Sequence, residues 1–232
     1  MKKLIVISAF LLSLTNQSFA AMEDDPVLTK FMLNEFETSD EAENPFTWNA
    51  QLWIGKDLNK FWIKTEGEQE DGRTEESEVQ LLYSKAIAPY WDIQMGVRRD
   101  NRNDIDRDWL VIGYEGLAPY FFEIDTALFL GKSGQAALRL EAEYELILTQ
   151  KLVLSPEVEV NIYAEEDSER STGAGLSNIE AGVRLRYEIR REFAPYIGVT
   201  WNSLYGDTAD IAKTSGDEAS NTSVVIGIRA WF

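Results

Sequence analysis

The stretch 223–232, SVVIGIRAWF, alternates along its whole length. Val224, Ile226, Ile228, Ala230 and Phe232 share one phase, and Val225, Gly227, Arg229 and Trp231 share the other. Side chains of an extended strand point to opposite faces in turn, so a period of two marks a β-strand. The same pattern recurs upstream. Trp48, Ala50, Leu52 and Ile54 oppose Asn49, Gln51, Trp53 and Gly55, and Phe61, Ile63 and Thr65 oppose Trp62, Lys64 and Glu66. It returns over 79–84, 91–98, 110–115, 122–130, 138–146, 152–162, 179–188 and 195–202, while 27–38 mixes its phases.

The connections between these segments follow their own rule. Those at 57–60, 86–90, 117–120, 148–151 and 190–193 are short. Those at 69–76, 100–108, 164–175 and 205–220 are longer and mostly acidic, with 131–135 the one short member of that set. Short turns at one end and long loops at the other belong to transmembrane β-barrels. A soluble β-sandwich explains the alternation but not this asymmetry. Ala-Pro-Tyr precedes three strands, at 88–90, 118–120 and 194–196. Proline is tolerated at a strand start, and the tyrosines fall where an interfacial aromatic girdle sits.

The N-terminus supports export. Met1-Lys2-Lys3 is followed by an apolar run to about Leu14 and by Ser18-Phe19-Ala20. This is a positive n-region, an apolar segment too short to span a bilayer, and a small-x-small cleavage site. Residues 1–20 are therefore expected to be a signal peptide and 21–232 an outer-membrane barrel with a short tail at 21–26. Eleven strands follow from Phe46 onward. An exported chain starts in the periplasm, and bacterial barrels have even strand numbers, so 27–38 becomes strand one. The expectation is an all-β, antiparallel up-and-down transmembrane barrel of about 12 strands. Its N-terminus, short turns and Phe232 would be periplasmic, its outer face would meet membrane lipid, and Phe232 would be read by the outer-membrane assembly machinery.

The chain has no cysteine and no histidine, and a net charge of −18. Disulfides, thiolate chemistry, histidine catalysis and histidine–metal ligation are excluded, and acidity on this scale argues against nucleic acid. Barrel lipases and proteases need a histidine, so no enzyme is expected. Lysine and arginine share the interior phase with many carboxylates. The densest acidic group spans three consecutive strands: Glu123 and Asp125; Glu141, Glu143 and Glu145; Glu157 and Glu159. Two readings coexist: a wall that attracts cations, and a salt-bridge network that fills a narrow barrel with Arg139, Arg184 and Arg186 as partners. Met22, Met32 and Met95 are the soft ligands after residue 20, with Met95 in the lipid-facing phase.

The runs WNAQLWIG (48–55), FWIKTEGE (61–68), LYSKAIAPYWDIQMGV (82–97), GLAPYFFEID (116–125), ALRLEAEYELILTQ (137–150) and LRYEIRREFAPYIGV (185–199), with the terminal Trp-Phe, resemble the copper resistance protein B family of outer-membrane proteins. The resemblance implies a barrel serving copper tolerance alongside periplasmic copper oxidases and copper-binding proteins. Family members often carry a Met- and His-rich N-terminal extension. Here only AMEDDP (21–26) precedes the first strand, with Met22 alone. Copper ions, carried or weakly held, would then meet Glu123, Asp125, Glu141, Glu143, Glu157 and Glu159 as oxygen ligands, with Met22 as a soft one. A general small-solute porin and a purely structural barrel stand as alternatives.

Overall fold

The computed structural model describes residues 25–41, 44–102 and 105–232. The expected signal peptide at 1–20 and Met22 lie outside these residues. Twelve strands follow one another: β1 (Leu28–Ser39), β2 (Phe46–Lys56), β3 (Asn59–Glu70), β4 (Arg73–Ala88), β5 (Trp91–Arg102), β6 (Ile105–Leu117), β7 (Phe122–Gly131), β8 (Ala136–Tyr144), β9 (Leu152–Tyr163), β10 (Gly175–Tyr187), β11 (Phe193–Leu204) and β12 (Ser220–Trp231). A two-residue continuation of β8, Leu146–Ile147, also pairs with β9. Each strand pairs antiparallel with its sequence neighbours, and β12 returns to β1, so the sheet closes as a barrel. The seam includes a reciprocal backbone pair, Phe31 N to Phe232 O and Phe232 N to Phe31 O, both 2.9 Å. The predicted twelve-stranded barrel is the observed fold.

The apolar phase faces outward. Phe61, Leu81, Met95, Leu110, Ile197 and Ile226 each leave about half or more of their surface uncovered by protein. That is the arrangement of a sheet whose outer face meets lipid and whose inner face meets water or its own polar network.

Strand β1 mixes its phases for a local reason. Leu33 pairs with Ala50 and Glu35 with Asn49, so Asn34 is an extra residue that nothing in β2 opposes. The same shift occurs against β12. This β-bulge flips the alternation: Phe31 points outward before it and Phe36 after it, while Asn34 and Glu35 both face the lumen.

Two predicted loops are strands. The stretch 69–76 carries the ends of β3 and β4, with Glu70 opposite Arg73 and only Asp71-Gly72 between them. Both turn residues have positive φ, 48° and 79°, as a two-residue type I′ hairpin requires. The charge of the segment hid this turn. Likewise 100–108 carries the ends of β5 and β6, which pair out to Arg102 and Ile105. The longest loop, 205–220, contains a helix, α1 (Gly206–Ser215), that tucks Thr208 and Ala209 against the barrel at the loop end. Thr208 Oγ1 accepts from the Gly173 amide at 2.9 Å and lies 3.1 Å from Ser177 Oγ.

The interior is packed on one side. Trp62, Leu82, Trp109, Val111, Ala127, Phe129 and Ala137 form an apolar cluster against the β3–β8 wall. Phe129 is 1% exposed, and the Arg98 guanidinium lies 4.4 Å from its ring centre.

Candidate functional site

Strand register converts the scattered acidic residues into rows. Glu115 of β6 faces Asp125 of β7, which faces Glu141 of β8, then Glu159 of β9, then Glu180 of β10. A second row joins Glu123, Glu143 and Glu157. Neighbouring strands lie about 4.8 Å apart, so each carboxylate is one strand spacing from the next. All six carboxylates predicted as ligands share this wall. Met32 lines the lumen nearby, and Met95 faces outward.

Carboxylates at that spacing repel one another unless bases intervene. Lys64 of β3 reaches Glu115 at 2.9 Å and Asp125 at 2.7 Å. Arg139 of β8 reaches Glu66 at 2.7 Å and Glu78 at 3.1 Å, with Glu159 and Glu141 looser at 3.6 and 3.9 Å. Arg184 of β10 holds Glu37 at 2.7 Å and Glu35 at 3.0 Å, and also contacts Glu157. Arg229 holds Glu143 at 2.9 Å, and Arg186 holds Glu145 at 2.7 Å. The salt-bridge network with Arg139, Arg184 and Arg186 is therefore present. Among the described residues, Glu123 and Glu180 are ion-paired with no lysine or arginine.

The network does not fill the barrel. A cavity of about 710 Å³ runs from Lys30, Met32 and Glu123 at the turn end to Glu68, Arg102 and Thr208 at the loop end. Carboxylates outnumber bases along it by more than two to one. A second compartment of about 30 Å³ lies against the packed wall, among Gln80, Gln94, Gly113 and Phe129. Among the described residues, no three acidic side chains converge closely enough to hold a metal ion. Such a wall presents carboxylate oxygens in rows rather than gathered into one chelate.

Glu35, Glu37 and Glu115 escaped the sequence-derived set of lumen acids. Glu37 is 5% exposed and accepts from Arg184 Nε at 2.9 Å, Arg184 Nη2 at 2.7 Å and Tyr196 Oη at 2.7 Å. The bulge at Asn34 hid the β1 pair. Glu115 was legible from its phase in β6.

Residues 27–232 match the family described as Copper resistance protein B precursor (CopB). Copper resistance protein B of Escherichia coli is 48% identical over 198 residues, which cover 85% of this chain and 67% of that protein. The copper resistance protein B homolog of Pseudomonas syringae pv. tomato is 39% identical over 219 residues, covering 94% and 74%. Among solved structures, the NanC porin superposes with a TM-score of 0.55 at 10% identity over 88% of this chain and 99% of its own. The KdgM porin gives 0.52 at 12% identity over 88% and 99%. These likenesses concern the fold. On the sequence match over nearly the whole barrel, the chain belongs to the copper resistance protein B family.

Proposed function

We propose that this protein sits in the outer membrane with its N-terminus and short turns in the periplasm, and passes copper ions outward through its lumen. It is a pathway, not an enzyme, and copper is its cargo. The observation that carries this reading is the row Glu115–Asp125–Glu141–Glu159–Glu180 beside a cavity that runs the length of the barrel. A cation moving along the cavity would exchange one carboxylate for the next, with Glu123, Glu143 and Glu157 flanking the path and Met22 in the tail as a soft ligand at the periplasmic mouth. The assembly machinery would recognise Phe232, and periplasmic copper oxidases or copper-binding proteins would deliver the ion.

Deletion of the gene tests this. Growth and periplasmic copper are measured as external copper rises. Sensitivity with raised periplasmic copper supports export. Normal growth with unchanged copper overturns it and leaves a general porin or a structural barrel. Complementation with Glu141→Gln and Glu143→Gln should restore folded barrel but not tolerance. Full tolerance with that variant removes these two residues from the path.

A further inference from the structure

The two compartments of the lumen share a boundary. Arg139, Lys64, Glu66, Glu78, Asp125 and Glu141 line both. Arg139 leaves β8 and meets Glu66 on β3 and Glu78 on β4, five and four strands away around a twelve-stranded ring. Lys64 leaves β3 and meets Asp125 on β7, four strands away. These ion pairs cross the lumen rather than run along its wall. Their anchorage is firm: Arg139 and Glu78 are 7% and 4% exposed, Arg98 holds Glu78 from the far side at 2.7 Å, and Arg139 leans on the Phe129 ring at 5.6 Å.

We infer that Arg139 and Lys64 form a two-strut partition that confines passage to one side of the lumen, and that Arg139 sets the aperture. The inference rests on the reading of the lumen as a cation path and goes beyond it by naming what determines its width. Behind the struts, the β4–β7 wall contributes Gln80, Gln94, Gly113 and Ala127 to the closed compartment and not to the open one. A permeating ion therefore passes the carboxylate row and the cavity-lining edge of Arg139, and does not visit that wall.

Breaking the strut from either end separates geometry from charge. Arg139→Met removes a positive charge, and Glu66→Gln with Glu78→Gln removes two negative ones, yet each releases the same bridge. A partition predicts that both variants raise single-channel conductance in potassium chloride, because each frees the aperture from the bridging Arg139 side chain. A purely electrostatic role predicts opposite signs, with the Gln pair lowering cation conductance. That outcome overturns the proposal.

A second readout does not depend on conduction. The chain has no cysteine, so Ala127→Cys places one thiol behind the partition. A cationic methanethiosulfonate reagent should leave it unmodified in the otherwise native barrel and modify it in both strut variants, with folding verified by heat-modifiable gel mobility. No modification in either variant overturns the partition whatever the conductance. Modification as expected with no wild-type conductance upholds the partition and overturns the cation path instead. Modification of the native barrel also overturns the partition.

Discussion

Arg184 is the base on which three lumen carboxylates depend, and its removal should cost more than the loss of any one of them. Glu37 accepts two bonds from its guanidinium and one from Tyr196. Breaking a buried ion pair by deleting one partner costs about 3–5 kcal/mol. Glu37→Ala leaves Arg184 within 3.0 Å of Glu35 and against Glu157, so the cation keeps its counter-charge and the cost falls near the lower bound, about 3 kcal/mol. Arg184→Met leaves Glu35, Glu37 and Glu157 with no base among their described neighbours, and the cost falls at about 5 kcal/mol. Urea unfolding of barrels reconstituted in lipid vesicles, followed by tryptophan fluorescence at pH 7, measures both. Equal costs, a reversed order, or a loss under about 1 kcal/mol for Glu37→Ala would refute the reasoning. Any of these would mean that lumen water hydrates the carboxylates as well as arginine does.

Glu180→Gln should leave unfolding midpoints unchanged or raised, because no base is lost to Glu180, while lowering the cation preference read from reversal potentials in a salt gradient. Gly227→Ala should destabilise the barrel by about 1–3 kcal/mol in the same urea assay, since a Cβ there would sit 2.6 Å from Glu37 Cβ and from the Tyr196 ring and hydroxyl. Cation selectivity of the native barrel should fall between 0.1 and 1 M potassium chloride as the screening length shrinks from about 10 to 3 Å; selectivity independent of salt would count against an acidic path.

Much of the barrel was legible because lipid on one face and water on the other impose the strictest alternation a chain can carry. Strands β2 to β12 all betray themselves that way. Strand β1 does not, because one inserted residue at Asn34 reverses its phase midway, and closure parity had to supply it. The acidic stretches at 69–76 and 100–108 read as loops because charge there marks the strand ends beyond the apolar band rather than a break in pairing. Asp71-Gly72 held the hairpin signal throughout. At the site, the acidic wall was visible as composition within one phase. The struts were not, since Arg139 meets Glu66 and Glu78 across separations of 73 and 61 residues, and only the curvature of a closed sheet brings them together.

The β1–β12 seam makes closure of the ring depend on a single strand. Until the residues around Phe232 arrive to meet Phe31, the sheet has two open edges, and in lipid every unpaired backbone group on them is costly. A polypeptide cut short before the last strand leaves β11 and β1 unmatched and cannot reach the finished state by any local repair. Strand β12 is thus the keystone of the ring, since its pairing satisfies both neighbouring edges at once.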